Sequence, residues 1–160
     1  MGRIDYIDDP DAPEINSVVP SVVAIVTDPT DKVLLIHKTD NNLWALPGGG
    51  HDPGEAISDT VVREVREETG YDVEVVALTG IYTNPAHRMA YDDGEVRQQF
   101  SIAFRATLTS GTAAPGEAGT PEEIQGMRWV SLEEAEALPM HPSMRERLRD
   151  ALAGGPPRLS

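Results

Sequence analysis

"GGGHDPGEAISDTVVREVREETG", Gly48 to Gly70, runs from a glycine triplet through a proline turn into a segment dense with charge. Its last eight residues hold three glutamates and two arginines. At about 100° per residue, Glu64, Glu67 and Glu68 share one helix face within roughly a 100° arc. Like charges three and four residues apart destabilise an isolated helix. Arg63 and Arg66 project a quarter-turn or more away from that cluster. Oxygen ligands gathered on one rigid element suit a hard divalent cation, Mg²⁺ or Mn²⁺. Without a cation, their mutual repulsion raises at least one carboxylate pKa. Taken alone, the run reads first as a solvated face. The glycines upstream change that reading, because Gly48, Gly49 and Gly50 can bring bare backbone close to a ligand.

The same segment carries its own helix signals. Ile57, Val61 and Val65 recur every four residues from Glu55 to Thr69. Asp52 is placed as an N-cap, Pro53 at the first helical position and Glu55 as the partner in a capping box. Gly70 supplies the stop.

Working outward, "SVVAIVTD" from Ser21 and "KVLLIHK" from Lys32 read as two strands joined by a turn, a hairpin. "VEVVALTGIY" reads as a strand, and "RQQFSIAFRATLT" as one longer strand alternating through Phe100, Ile102 and Phe104. "SGTAAPGEAGTPEE" has the composition of a loop. "IQGMRWVSL" is a last strand, followed by helical "EEAEAL" and "PSMRERLRDALA". Strands and helices mixed in this way indicate an α/β or α+β layered domain. Residues 1–16, acidic and broken by Pro10 and Pro13, read as a loose arm, residues 17–153 as one domain, and residues 154–160 as a flexible tail.

The 160 residues suit a single domain with a real core, and 39% hydrophobic with 25% charged residues is ordinary for a globular chain. A net charge of −14 with no basic cluster argues against a nucleic-acid partner. A small phosphorylated substrate stays compatible where a metal neutralises charge locally. Without cysteine there is no disulfide, thiolate site or cysteine nucleophile. The N-terminus lacks an apolar signal core, and no stretch approaches the ~18 apolar residues of a membrane span, so a cytoplasmic protein is expected.

The spacing in this segment is specific. Gly49, five residues, Glu55, seven residues, Arg63-Glu64, Val65, one residue, Glu67-Glu68, one residue and Gly70 form a pattern of seven fixed letters. Such a pattern arises by chance on the order of once in 10⁸ starting positions. It resembles the Nudix box of the MutT-like hydrolases at every fixed position, with Tyr71 a looser fit where that box prefers an aliphatic residue. The flanking "WALPGGG" and "EEIQGMRWVSLEEAEAL" are also similar to this family, and the likeness runs from about Ser21 to Ala153.

The resemblance implies an α/β/α sandwich around a mixed central sheet. It implies hydrolysis of a nucleoside diphosphate linked to another moiety, an ADP-ribose-like compound or a nucleoside triphosphate, with Mg²⁺ or Mn²⁺. Glu64, Glu67 and Glu68 map onto the family's metal-binding glutamates, with the Gly48 carbonyl completing the coordination. Glu64 or a loop glutamate serves as general base; of Glu122 and Glu123, Glu123 is favoured because it adjoins the last strand. Glu55 and Arg63 serve as structure within the box, alongside Gly49 and Gly70. A homodimer is common in the family. The competing class is a nucleotide-sensing domain without turnover, which would usually have lost a box glutamate, and this chain retains all of them. A structural calcium site is disfavoured by the lack of a DxDxDG-type loop.

Substrate selection falls to "IYTNPAHRMAYDDGEVRQQ", where Tyr82 or Tyr91 could stack on a base and Arg88 or Arg97 pair with phosphates. Pro85, fifteen residues past Gly70, lies near where ADP-ribose-cleaving members of the resembled family often carry a proline, and reads first as a turn proline. His37, His51, His87 and His141 show no paired metal-ligand spacing and read as surface or polar-contact residues. Trp44 and Trp129 read as packing, with Trp44 close enough to the glycine loop to flank a ligand.

Overall fold

The computed structural model describes residues 2–110 and 123–160. In chain order the elements are β1 (Arg3–Ile7), β2 (Ser17–Val18), β3 (Ser21–Thr27), β4 (Val33–Lys38), β5 (Trp44–Ala45), β6 (Gly48–Gly50) and α1 (Ile57–Thr69). They continue with β7 (Asp72–Tyr82), β8 (His87–Tyr91), β9 (Val96–Gln98), β10 (Ser101–Ser110), β11 (Ile124–Val130), α2 (Leu132–Ala137), α3 (Pro142–Ala153) and β12 (Arg158–Leu159).

One sheet has the order β11-β4-β3-β10-β7-β12, with β5 on β4 and β6 on β3. The β3–β10 and β7–β12 pairs are parallel and the others antiparallel, so the sheet is mixed. Strand periodicity sorts its side chains. Val22, Ala24 and Val26 face one side and bury α1 through Val61 and Val65. Val23 and Ile25 face the other side and bury Ala135 of α2 with Leu148 and Ala151 of α3. Each buried valine, leucine or isoleucine contributes roughly 1.5–3 kcal/mol, so both helical layers are held mainly by this alternation. The result is an α/β/α sandwich. A second sheet has the order β1-β8-β9-β2.

Two departures from the sequence reading matter for the site. The expected hairpin opens: β3 and β4 pair only at Thr27 with Val33. Residues 44–50 fill the space between them, β5 against β4 and β6 antiparallel to β3 with Val23 opposite Gly48. The glycine triplet is therefore sheet rather than loop. Its backbone takes the strand ladder because Gly48 has no Cβ, which would meet the Val22 carbonyl oxygen at 2.0 Å. The expected single strand from Arg97 onward also splits, β9 joining the small sheet and β10 the large one.

The chain ends are paired as well. β1 lies antiparallel to β8, Arg3 opposite Tyr91, and β12 runs parallel to β7, Arg158 opposite Gly80. Edge strands of this kind are held by backbone hydrogen bonds and need no buried face. Leu159 is accordingly 81% exposed, and strands β1 and β12 lie within the segments read from sequence as arm and tail.

Candidate active site

Helix α1 begins at Ile57, four residues later than Pro53. Ala56 is extended (φ −75°, ψ 152°), and the Asp59 carboxylate accepts from its N–H at 3.3 Å. Asp52 to Glu55 forms a separate turn in front of the helix. Glu55 N–H donates to the Asp52 carbonyl at 3.3 Å, and Asp52 N–H donates to the Glu55 carboxylate at 3.1 Å. The capping-box hydrogen bond is thus present but closes a turn, which corrects the placement of the N-cap. Gly70 ends α1 in the left-handed region (φ 80°), its N–H donating to the Arg66 carbonyl at 2.9 Å. A side chain there would be strained.

The acidic face of α1 lies against β6. The Gly48 N–H donates to Glu68 Oε1 at 2.7 Å. A Cβ on Gly49 would stand 2.5 Å from the Glu64 carboxylate carbon, so only glycine leaves room for that side chain. Burial pushes Glu68 up to about 8, the Gly48 amide opposing this and the charges of Glu64 and Glu123 adding to it. Burial also raises Glu64, with Arg63 opposing.

Arg63 is the hub of this end. Its guanidinium donates to both Glu55 oxygens at 2.7 and 2.9 Å, to Glu64 at 2.9 Å, to Glu67 at 3.3 Å and to the Gly50 carbonyl at 3.0 Å. Asp52 lies 3.3 Å away. A guanidinium presents five donors in a rigid fork, and this one ties the turn, the strand and the helix together. The hydrogen bonds from Arg63 hold Glu55 down at about 2.

Glu64 and Glu67 therefore turn to Arg63, and Glu68 to Gly48. Among the described residues the three glutamates do not form a closed ligand set; the one such set is Asp5, His87 and His141, with ligand atoms within 4.8 Å of one another. The glutamate face nonetheless fits a divalent cation by its chemistry. It offers carboxylate oxygens on one rigid face, Gly49 leaves the space a Cβ would fill, and glutamate side chains can rotate toward one point. The Asp5 set is less suited, since Arg3 donates to both Asp5 oxygens at 2.7 and 2.9 Å.

A cavity of about 330 Å³ opens beside β6 and Glu68 and reaches back to His87 and Arg147. Tyr91 and Arg97 line it, with the Arg97 guanidinium 4.6 Å from the Tyr91 ring centroid and 2.7 Å from a Glu95 oxygen. Trp44 also lines it, stacked on His37 at 4.5 Å. Glu123 is an exposed turn residue whose carbonyl accepts from the Thr39 N–H, and its charge acts on Glu68. Glu122 lies outside the described residues.

Two expected selectors are placed elsewhere. Tyr82 is 3% exposed, with its hydroxyl donating to Asp150 at 2.7 Å, so its ring is core and not a platform for a base. Arg88 donates to the carbonyls of Ala12, Pro13 and Pro85 and fastens the N-terminal arm to the turn. An exposed-looking pattern in the sequence hid both outcomes, because each depends on a segment far away in the chain.

The histidines divide. His37 stacks on Trp44, His51 Nδ1 meets the Thr60 hydroxyl at 2.6 Å, and His141 caps α3 by accepting from the Ser143 N–H. His87 is 6% exposed and its Nε2 has no partner among the described residues, a placement that no ligand spacing predicted. Arg147 was missed too. Its one sequence signal is its position inside the inward stripe Met144, Leu148, Ala151 of α3.

These residues build a three-layer α/β/α domain whose acidic helix face is clamped to a glycine strand that lines a cavity. The NUDIX domain model matches residues 18–151, and the chain belongs to the NUDIX family. It is 32% identical over 148 residues to a MutT-like protein of Streptomyces ambofaciens, covering 92% of this chain and 84% of that one. It is 36% identical over 107 residues to a Bacillus subtilis (strain 168) protein provisionally named an 8-oxo-dGTP diphosphatase. That alignment covers 67% of this chain and 62% of the relative, less than two thirds of its length. A NUDIX hydrolase from Nitrosomonas europaea superposes with a TM-score of 0.67 at 25% identity, covering 86% of this chain and 90% of that one.

Proposed function

We propose that this chain is a metal-dependent pyrophosphohydrolase of a small nucleotide, with its scissile bond held between α1, β6 and the cavity mouth. The observation that carries the reading is the contact of the acidic helix face with the glycine strand. Glu68 meets Gly48 where both line the cavity, and Glu64 stands against Gly49 beside them, so a pyrophosphate entering the cavity would meet this face.

In this reading Glu64, Glu67 and Glu68 hold Mg²⁺ or Mn²⁺, with the Gly48 carbonyl as a further oxygen ligand. A bound cation supplies counter-charge for the negative charge that develops on the phosphate oxygens. Arg63 orients Glu64 and Glu67, and Glu55 fixes Arg63. Glu123 is the favoured acceptor of the proton from the attacking water, because it stands on a separate segment yet acts electrostatically on Glu68. Glu64 is the alternative base. Tyr91 and Arg97, already joined by a cation–π contact, meet the nucleotide in the cavity.

Among the described residues no helix is long and apolar enough to cross a membrane. A cytoplasmic location and a homodimer belong to the proposal. The substrate class is a nucleoside triphosphate or an ADP-ribose-like compound; the provisional name of the Bacillus subtilis relative favours the former.

The test is product release with Mg²⁺ across nucleoside triphosphates, ADP-ribose, other nucleoside diphosphate sugars and dinucleoside polyphosphates, repeated with EDTA. Turnover that EDTA abolishes supports the proposal. Nucleotide binding without turnover of any compound supports the sensing domain instead.

A further inference from the structure

Among the described residues, four buried side-chain polar atoms have no hydrogen-bond partner: Thr79 Oγ1, His87 Nε2, and Arg147 Nε and Nη1. Three of the four belong to two residues that line the same cavity as Glu68, and Arg147 stands on α3, which packs on the opposite face of the sheet from α1. Buried donors left in this way are rare in folded proteins and call for a physical reason.

Arg147 is the more demanding of the two. It is 2% exposed, and among the described residues no carboxylate pairs with it. It lies over the face of Tyr82, with the guanidinium carbon 4.8 Å from the ring centroid. Tyr82 is itself fixed by its hydrogen bond to Asp150. The guanidinium is therefore held by packing, with its Nε and Nη1 donors meeting no acceptor among the described residues. Burying an unpaired charge is costly to folding. A cost retained at a cavity wall is the usual mark of a binding group.

We propose that Arg147 and His87 form the selective end of the cavity and bind acceptor oxygens on the part of the substrate remote from the scissile pyrophosphate. The placement rests on the hydrolase reading, which puts the pyrophosphate at the Glu68 end.

Arginine has donors and no acceptor, so it favours a carbonyl or phosphate oxygen and rejects an amino group at the same place. Burial lowers His87 to about 4, with Asp5 opposing and His141 and the nearby arginines adding, so near neutral pH it is an uncharged imidazole with one N–H to give. The local charge also speaks against a cation at Asp5, His87 and His141. Arg3 occupies both Asp5 oxygens, and Arg147 adds an unpaired positive charge. The acceptor oxygen can come from a keto purine or from a second, distal phosphate.

The test uses two pairs of non-hydrolysable methylene-bridged ligands. Inosine and adenosine triphosphate analogues differ in a 6-oxo against a 6-amino group. 2′-Phospho-ADP-ribose and ADP-ribose analogues differ by one distal phosphate. Calorimetry on the wild-type protein should show a tenfold or greater preference for the acceptor-bearing member of one pair, and that pair identifies the source. Arg147→Met should bring the two members within about twofold and melt no lower than wild type, because it removes an unpaired buried charge. His87→Leu should lower the same preference partway.

The inference is overturned by no preference in either pair, or by a preference that survives Arg147→Met. It is equally overturned if Arg147→Met melts below wild type or fails to fold, since the arginine would then be structural. Turnover of the natural nucleotides is measured in parallel. Loss of turnover with the preference intact removes the hydrolase reading alone, and turnover without any preference removes this inference alone.

Discussion

The two ends of the cavity satisfy their charges in opposite ways. At the α1 end every box side chain has a partner: Arg63 serves Glu55, Glu64 and Glu67, and Gly48 serves Glu68. At the α3 end Arg147 and His87 keep buried nitrogens without partners among the described residues. The first end is a scaffold whose carboxylates are tied to protein donors on one rigid face. The second keeps donors that no described protein group meets. Carboxylates gathered on a rigid face suit a cation, while unmet donors suit recognition.

The largest effect that would break this contrast is at Glu68. Glu68→Gln keeps the shape and the acceptor for the Gly48 N–H but removes a charge that the proposed function assigns to the metal. Turnover should fall by at least about 10²-fold, with the melting temperature unchanged or raised because burial already disfavours the carboxylate. Steady-state kinetics beside a thermal melt check both halves. Full activity would show that the paired end is not the reactive one.

The glycine pair sharpens the contrast between fold and site within three residues. Gly48→Ala sets a Cβ 2.0 Å from the backbone oxygen of Val22, which cannot move without breaking β3. It should lower stability by about 1–3 kcal/mol or more and reduce soluble yield. Gly49→Ala meets the movable end of Glu64 instead. It should keep the fold and lose activity, by about tenfold or more. Denaturant melts and kinetics on both variants separate the outcomes, and equal stability losses would contradict the distinction.

An effect smaller than that of Glu68→Gln is expected at Arg63. Arg63→Met frees Glu55, Glu64 and Glu67 together and should cost about 10–100-fold in turnover through misplacement. Added Mg²⁺ should recover part of the loss. A variant with wild-type kinetics would make the hub decorative.

The smallest effect is a pH dependence. Arg63 depresses the folded-state pKa of Glu55 from 4.5 to about 2. A depressed carboxylate contributes stability that is fully present above about pH 4.5 and is lost as pH falls toward 2. Wild type should therefore lose more melting temperature across that window than Arg63→Met does. Parallel acid melts compare the slopes, and identical slopes would remove the ion pair from the account.

How much of this was legible follows from where the partners sit in the chain. The α1 end is contiguous, Gly48 to Gly70, so spacing alone brought its residues together. Even there the sequence misjudged two local features, because the Asp52–Glu55 turn and the helix start at Ala56–Asp59 are closed by the same kind of carboxylate-to-amide hydrogen bond. The sheet faces were legible through the alternation of β3 and the four-residue stripe of α1. β1 and β12 were not, since strands paired by backbone alone carry no apolar signature. Arg147 was hidden among Arg145 and Arg149, which do reach outward to Glu136. His87 and Arg147 meet only through tertiary packing, which local periodicity does not record.

The most direct test of the central claim is Mn²⁺ binding followed by electron paramagnetic resonance. Wild type should take up Mn²⁺ saturably, and Glu64→Gln and Glu68→Gln should each weaken it at least tenfold, while His141→Ala leaves it unchanged. Binding that survives both glutamine variants and vanishes with His141→Ala would move the metal to Asp5, His87 and His141 and contradict the account.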